Sequence, residues 1–335
     1  MKVSIFTVCD YYEDAHPGIA DYYEQQITLA EWAEELGYDG FFMAEHHFHP
    51  YGLVPDALQM LTAIAMRTER VLLGPAISVL PFHNPVKVAE QFCVLDQVSR
   101  GRVVPGVGSG YLQHEFEGFN LTPADKRQRF DEALEVMEKA MRGKRFSHEG
   151  HYFTVPKTRL NVKPYEGRTL EPKIAILSEL AAYHVGKRGY GIMTVPYATV
   201  DNIDDAAPLF ANYRKGWAES GKEGEGDVFA AIHTHISNKE WDKNELNRQH
   251  IEKYVYSRLY ARHSTYDECM ARGVIASGTV EQVTEQLQRV LDTGVNHLKL
   301  LVDYGAMPRD EIRATMERVM KEVVPNLEDA KLVTV

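Results

Sequence analysis

Three histidines and a glutamate crowd one short stretch of the chain, Glu45-His46-His47-Phe48-His49-Pro50. Imidazole is the side chain suited to moving a proton near neutral pH, and a neighbouring carboxylate such as Glu45 can orient it or raise its pKa. Successive residues of a strand point to opposite faces, so His46 and His47 cannot both face one cavity until the strand ends. One is expected in the mouth of a site and the other turned with the loop. A satisfied structural histidine is the plain alternative for either. A second pair, His233 and His235, has the alternate spacing that puts both rings on one strand face, as a metal site needs. Further ligands are scarce, because the last strand offers only Asp303 and the fifth only Ser178. No metal is therefore expected, and a metal-dependent barrel hydrolase on His233 and His235 is kept as a competing chemistry.

Two other places suit a ligand. Gly106-x-Gly-x-Gly110 is a poor dinucleotide fingerprint, since its third glycine comes one residue early; its better use is close backbone approach to a bound molecule. Ser178 stands just before a helical stretch that ends at Gly189. An N-cap serine adds a hydroxyl where free N–H groups and the helix dipole already favour a phosphate, though a plain cap without ligand is the commoner use.

The elements that must position these residues follow a repeating plan. Apolar or β-branched runs at 3–8, 40–45, 71–80, 102–108, 173–177, 191–197, 227–237 and 295–304 alternate with amphipathic helices. That alternation argues for βαβ units and a parallel sheet, and the eight runs favour a closed (β/α)₈ barrel over an open doubly wound sheet. Helix ends are marked by Asn84-Pro85, by Thr122-Pro123, by the capping-box pair Thr279 and Gln282, by Pro308, and by Gly37 after a stripe of Ile19, Tyr23, Ile27, Ala30, Ala33 and Leu36. Barrel chemistry gathers at the C-terminal strand ends, where all the residues above fall.

The surplus over a minimal barrel lies in two places. Residues 148–172 precede strand five and read as a hairpin-like insertion around 151–155. Residues 238–273 follow strand seven and are polar, helical and rich in tyrosine, with Tyr254, Tyr256, Tyr260 and Tyr266. The second is the candidate lid on a single-domain chain of residues 1–335.

Composition narrows the class. The 335 residues are 44% hydrophobic and 25% charged, which excludes a disordered chain. A net charge of −11 speaks against nucleic acid as a partner. Mean hydropathy is −0.34, and no apolar run approaches the roughly 20 residues of a membrane span. Three widely spaced cysteines without a CxxC suit reduced thiols and a cytoplasmic location.

Six short motifs in order resemble the bacterial luciferase-like flavin-dependent monooxygenase family over nearly the whole chain. They are Ala44-Glu45-His46-His47-Phe48; Leu80-Pro81 with Pro85 and Ala89-Glu90; Ser99-Arg100-Gly101-Arg102; Gly106-x-Gly-x-Gly running into Glu115-Phe116; His148-Glu149-Gly150-x-Tyr152-Phe153; and Ser277-Gly278-Thr279-x-Glu281-x-Val283. The resemblance implies an α/β fold, a (β/α)₈ TIM barrel with an insertion after strand seven. It also implies a reaction: FMN, taken as FMNH₂ from a separate flavin reductase, meets O₂ to form a C4a-peroxyflavin that oxygenates a small organic substrate. A closing lid would keep that intermediate dry.

Carried over by position, His46 resembles the catalytic histidine, with Glu45 and His47 beside it. Ser178 resembles the phosphate-binding serine, with Leu177, Ser109, Gly110 and Tyr111 around the cofactor and Ala76 at a non-prolyl cis peptide to Ile77. His235 and, less closely, His233 resemble polar residues near flavin or substrate, and Tyr254 and Tyr260 belong to the lid. The luciferase α-chain has Arg where Ser109 stands and Cys where Gly108 stands, which puts a light-emitting aldehyde reaction in doubt. The resemblance further implies a homodimer through helices after the early strands. An F420-dependent oxidoreductase on the same barrel is the nearest alternative, and a non-catalytic supporting subunit is disfavoured by the complete Glu-His-His cluster.

Overall fold

A computed structural model describes residues 1–16, 18–258 and 263–329. Twelve strands form: β1 (Lys2–Thr7), β2 (Gly40–Met43), β3 (Leu72–Pro75), β4 (Ser78–Val79), β5 (Gly106–Gly108), β6 (Phe146–Glu149), β7 (Thr154–Thr158), β8 (Lys173–Ala175), β9 (Gly191–Thr194), β10 (Val228–Ile236), β11 (Ile275–Gly278) and β12 (His297–Leu301). The main sheet is parallel, in the order β3-β2-β1-β12-β10-β9-β8-β5-β4. A parallel bridge from Leu73 to Val103, just ahead of β5, joins its two edges. The sheet is thus a closed barrel, with β3 and β4 making one stave interrupted by a cis Ala76–Ile77 peptide. Each of the eight apolar runs supplies one stave.

Three differences from the sequence pattern have physical causes. The strand β11 is a ninth parallel strand, paired along the outer half of β10 from His233 to Ile236 beyond the end of β9. The Thr122-Pro123 pair opens a 3-10 turn, Pro123–Asp125, and the helix proper begins at Lys126 without a Thr122 side-chain bond. The helix Ile19–Glu35 buries Tyr22, Gln26, Leu29, Ala30 and Ala33, so its inner face is turned from the apolar stripe and Ile19 is exposed. Gln26 explains the turn: its Nε2 donates to Asp303 at 2.8 Å while its Oε1 accepts from the Thr7 hydroxyl at 3.0 Å. A hydrogen-bonded glutamine can take a core position that periodicity assigns to an apolar residue.

An antiparallel hairpin, β6 with β7, spans 146–158, so it opens two residues before the 148–172 region and residues 151–153 lie in its turn. The 238–273 region forms the helices Glu245–Ser257 and Tyr266–Ala271. The caps at Asn84 and Thr279 form as the sequence pattern implies, the latter as a full capping box. Arg102, at the end of the Ser-Arg-Gly-Arg motif, is structural. Its guanidinium donates to the carbonyls of Ala65, Thr68, Val71 and Ser99, closing the end of the helix Ala57–Ala65.

Phe42 and Phe229 meet at 5.8 Å although two staves stand between theirs, so they fill the barrel interior. Between them lies Lys299, its ammonium 5.2–5.5 Å from the ring centres of Phe6, Phe42 and Phe229. Burial pulls this amine down to about 7. The unfolded chain keeps the Lys299 proton up to about pH 10.4, so between pH 7 and 10 it binds more protons than the folded chain and stability rises with pH. Replacing Lys299 by Met should raise stability at pH 7, by up to about 4 kcal/mol, and flatten that slope. Urea melts of both proteins at pH 7 and 10 check this; parallel slopes would refute it.

Candidate active site

Two of the buried carboxylates at the mouth of the barrel, Glu45 and Glu115, each take one histidine of the cluster. Glu45 follows β2 and is 4% exposed. Its Oε1 accepts from His83 Nε2 at 2.8 Å, His47 Nε2 at 3.2 Å and the Val79 N–H at 3.2 Å, and its Oε2 accepts from the Ser78 hydroxyl at 2.9 Å. Burial pushes the Glu45 carboxyl up, but the bonds from His47 and His83 outweigh it and hold it down to about 2. Burial likewise pulls His83 down, and Glu45 reverses the balance, leaving His83 raised.

His46 goes the other way. Its Nδ1 lies 3.0 Å from Glu115 Oε1, the same oxygen that accepts the His47 backbone N–H at 3.0 Å. Its ring packs at 4.6 Å against Tyr51, tilted by 53°, and Tyr111 stands edge-on at 6.5 Å. Gly52 is required here, since a Cβ would sit 2.6 Å from the His46 Cβ. The expectation that Glu45 orients the mouth histidine is therefore corrected: Glu45 holds His47 and His83, and Glu115 holds His46.

From His46 a run of aromatic rings crosses to strand seven. Tyr51 lies 6.2 Å from Tyr254, and Tyr254 lies 4.8 Å from His233, which also meets Tyr304 at 5.2 Å and Tyr197 at 6.1 Å. Arg258 closes the group, donating to the Tyr51 hydroxyl with its guanidinium 4.5 Å from the Tyr254 ring. Burial, then the nearby Arg258 charge, lowers His233 far below its ordinary pKa, so this ring is neutral. Among the described residues, neither ring nitrogen of His233 has a hydrogen-bond partner.

His235 is placed elsewhere. Its Nδ1 meets Asn244 at 3.0 Å and its Nε2 lies 3.6 Å from Glu311, so it ties the 238–273 insertion to the barrel. Burial lowers it to about 4. Tyr256 points outward, 62% exposed, and Tyr260 lies outside the described residues. Among the described residues, the group whose ligand atoms could hold a metal is Glu45, His47 and His83, not His233 with His235. Hydrogen bonds already engage both oxygens of Glu45, so the group reads as a proton network.

The cofactor candidates sit at the same end, because the staves are parallel. Ser178 follows β8 and caps the helix Glu179–Lys187, its hydroxyl accepting from the Ala181 N–H at 3.4 Å. It is exposed, as are Leu177 at 54%, Leu180 at 69% and Tyr111 at 38%. Ser109 and Gly110 follow β5, with Gly110 at φ +71. A Cβ on Gly108 would strike the Ile77 side chain at 2.3 Å, which packs this loop against the Ala76–Ile77 cis peptide.

Sequence reasoning did not single out Glu115, His83, Ser78, Tyr51 or Arg258 for this site. A signal existed for two: Glu115 stands in the helix following the glycine loop, and Arg258 lies one helical turn beyond Tyr254. The Glu45 network predicts a pH-dependent cost. Replacing Glu45 by Gln should destabilise the fold by about 3 kcal/mol at neutral pH, a contribution present above about pH 4.5 and lost as pH falls toward 2. Denaturant melts across pH 2–7 measure it; a difference independent of pH would contradict the assigned network.

Comparison with known proteins agrees with the barrel fold. The chain resembles monooxygenase RslO1 from Streptomyces bottropensis, with TM-score 0.90, 25% identity, and 97% of this chain and 99% of the other covered. The fold also matches the oxygenating constituent of 3,6-diketocamphane monooxygenase from Pseudomonas putida, solved in complex with FMN. There the TM-score is 0.85 at 18% identity, covering 99% and 100%. The F420-dependent glucose-6-phosphate dehydrogenase of Amycolatopsis mediterranei is 24% identical, over 90% of this chain and 93% of its own. The pattern of the family described as luciferase-like monooxygenase matches residues 1–297, and the chain belongs to that family.

Proposed function

We propose that the chain is the oxygenase of a two-component system, receiving FMNH₂ from a separate flavin reductase and using O₂ to oxygenate a small organic substrate. The observation that carries this reading is the His46 imidazole, fixed by a buried carboxylate at the barrel mouth beside a wall of tyrosines. The Pseudomonas relative, an oxygenating constituent in complex with FMN, supports the cofactor, and a relative from Acinetobacter baylyi described as the oxygenase component of a flavin-dependent monooxygenase supports a second component. When bound, the reduced flavin supplies the electrons that activate O₂.

This chain's residues supply the rest. Ser178 and the first N–H groups of its helix suit a phosphate. The exposed apolar side chains of Leu177 and Tyr111 suit the flank of a ring system, and Ala76, Ser109 and Gly110 complete that side of the mouth. His46 gives or takes a proton at Nε2, with Glu45 and His47 holding its chain segment in place. The 238–273 insertion acts as the lid: Tyr254 and Arg258 press on Tyr51 and His233 and keep water from the mouth. A cytoplasmic homodimer completes the proposal.

Hydride transfer with reduced F420 is the second reading, favoured by the F420-dependent relative. Anaerobic titration with each reduced cofactor, followed by oxygen uptake, separates the two. Tight FMNH₂ binding with substrate-dependent O₂ consumption supports the oxygenase; binding of F420 alone without O₂ uptake overturns it.

Replacing His46 by Ala should leave FMNH₂ binding within about twofold and cut product per flavin oxidised about tenfold or more, with hydrogen peroxide released instead. Unchanged coupling removes His46 from the mechanism. Replacing Ser178 by Ala should weaken FMNH₂ binding by about 1 kcal/mol or more, the loss of one hydrogen bond to a charged group. Equal affinity of the parent protein for FMN and riboflavin would contradict a phosphate site there.

A further inference from the structure

We propose that Glu115 is a positioning residue that sets the tautomer of His46, holding the proton on Nδ1 and leaving Nε2 as the working atom. The inference deepens the oxygenase reading and rests on it for the role of His46, but its geometry stands apart from any cofactor.

Glu115 is 1% exposed and lies in the helix Gln113–Gly118, following the glycine loop. Its Oε1 meets both His46 Nδ1 and the His47 backbone N–H, each at 3.0 Å. A backbone amide can only donate, so this oxygen is an acceptor there. That oxygen already receives the His47 N–H as an acceptor, so the Nδ1 at 3.0 Å beside it is the donor and carries the proton. A neutral imidazole holds one ring proton, which leaves a lone pair on Nε2.

The ring is also locked in orientation. Gly52 leaves no room for a Cβ beside it, and the Tyr51 ring packs against it at 4.6 Å, tilted by 53°. His47 is excluded from the same duty, because its own Nε2 is engaged by Glu45. The two carboxylates thus divide the pair: one histidine is bonded through Nε2 to the strand network, and the other is bonded through Nδ1 with Nε2 open. Shared bonding by one oxygen also separates two variants. A Glu115→Gln amide can present its oxygen to both donors and keep the arrangement, whereas Glu115→Leu cannot.

The test is nitrogen NMR of the flavin-free protein with ¹⁵N-labelled histidine, read at a pH where the His46 ring nitrogens themselves show a single proton, with His46 assigned by its loss in His46→Gln. The wild type should show a protonated Nδ1 and an unprotonated Nε2 for His46. Glu115→Gln should preserve that pattern, and Glu115→Leu should move it toward the Nε2–H form that free imidazole side chains favour. In turnover, Glu115→Leu should lower product per flavin oxidised about tenfold, with Glu115→Gln recovering it to within about threefold of wild type. A wild-type His46 carrying its proton on Nε2 overturns the proposal outright, as does an unchanged tautomer in Glu115→Leu. Should His46→Ala leave coupling unchanged, the oxygenase role fails while the tautomer assignment is judged by the spectra alone.

Discussion

A carboxylate buried at the rim of a barrel is costly unless hydrogen bonds and opposite charge surround it, and that constraint organises this site. Glu45 gathers donors from three separate stretches: His47 in its own loop, Ser78 and Val79 on β4, and His83 ahead of the helix Pro85–Val98. Those bonds pin the β2 loop to β4. With His47 bonded to Glu45 in the loop after β2, His46 is left to Glu115, which receives it. One polar network thus decides which histidine faces the mouth. Removing a partner would leave a charge uncompensated and disturb the loop, so structure and chemistry share residues here.

The opposite wall is built by the insertion. Ser277 on β11 accepts from Asn244 at 3.1 Å and Asn247 at 2.8 Å and shares a hydroxyl–hydroxyl bond with Tyr266 at 2.7 Å, while Tyr304 donates to Asn247 at 2.6 Å. The extra strand is therefore the anchor that holds the helix Glu245–Ser257 over the barrel. It lets that helix present Tyr254 and Arg258 inward while Tyr256 stays in solvent. His235 belongs to this anchor, and His233, two residues earlier on the same strand, belongs to the aromatic wall. Equal spacing on a strand face does not give two histidines one role when the strand runs on under an insertion.

What could be read from the sequence was local. Eight staves, the Asn84 and Thr279 caps and the Gly37 stop are written in residues a few positions apart, which periodicity and capping rules detect. The partners of the histidines were not legible, because Glu115 lies 69 residues from His46 and His83 lies 38 from Glu45. Nothing in spacing pairs residues so far apart; only barrel closure does. The short strand β11 was hidden for another reason. Its Ile-Ala-Ser-Gly carries two small residues and a polar one, and the polar one earns its buried place by bonding the insertion.

The proposed cofactor side has a contrasting character that bears on how a two-component oxygenase would work. The first turn after Ser178 reads Glu-Leu-Ala-Ala, with an acid and no base. A phosphate there would be met by a hydroxyl, backbone N–H groups and the helix dipole, the last worth typically 0.3–1 kcal/mol. No lysine or arginine of that turn would add a charge-assisted bond. Such a cradle favours a cofactor that enters and leaves over one fixed in place, and entry and departure are what delivery from a separate reductase demands. The strong electrostatic work lies instead at Glu45 and Glu115, on the histidine side of the mouth. In this reading specificity for the reaction is built into the protein's fixed imidazole, while the flavin is handled as an exchangeable substrate.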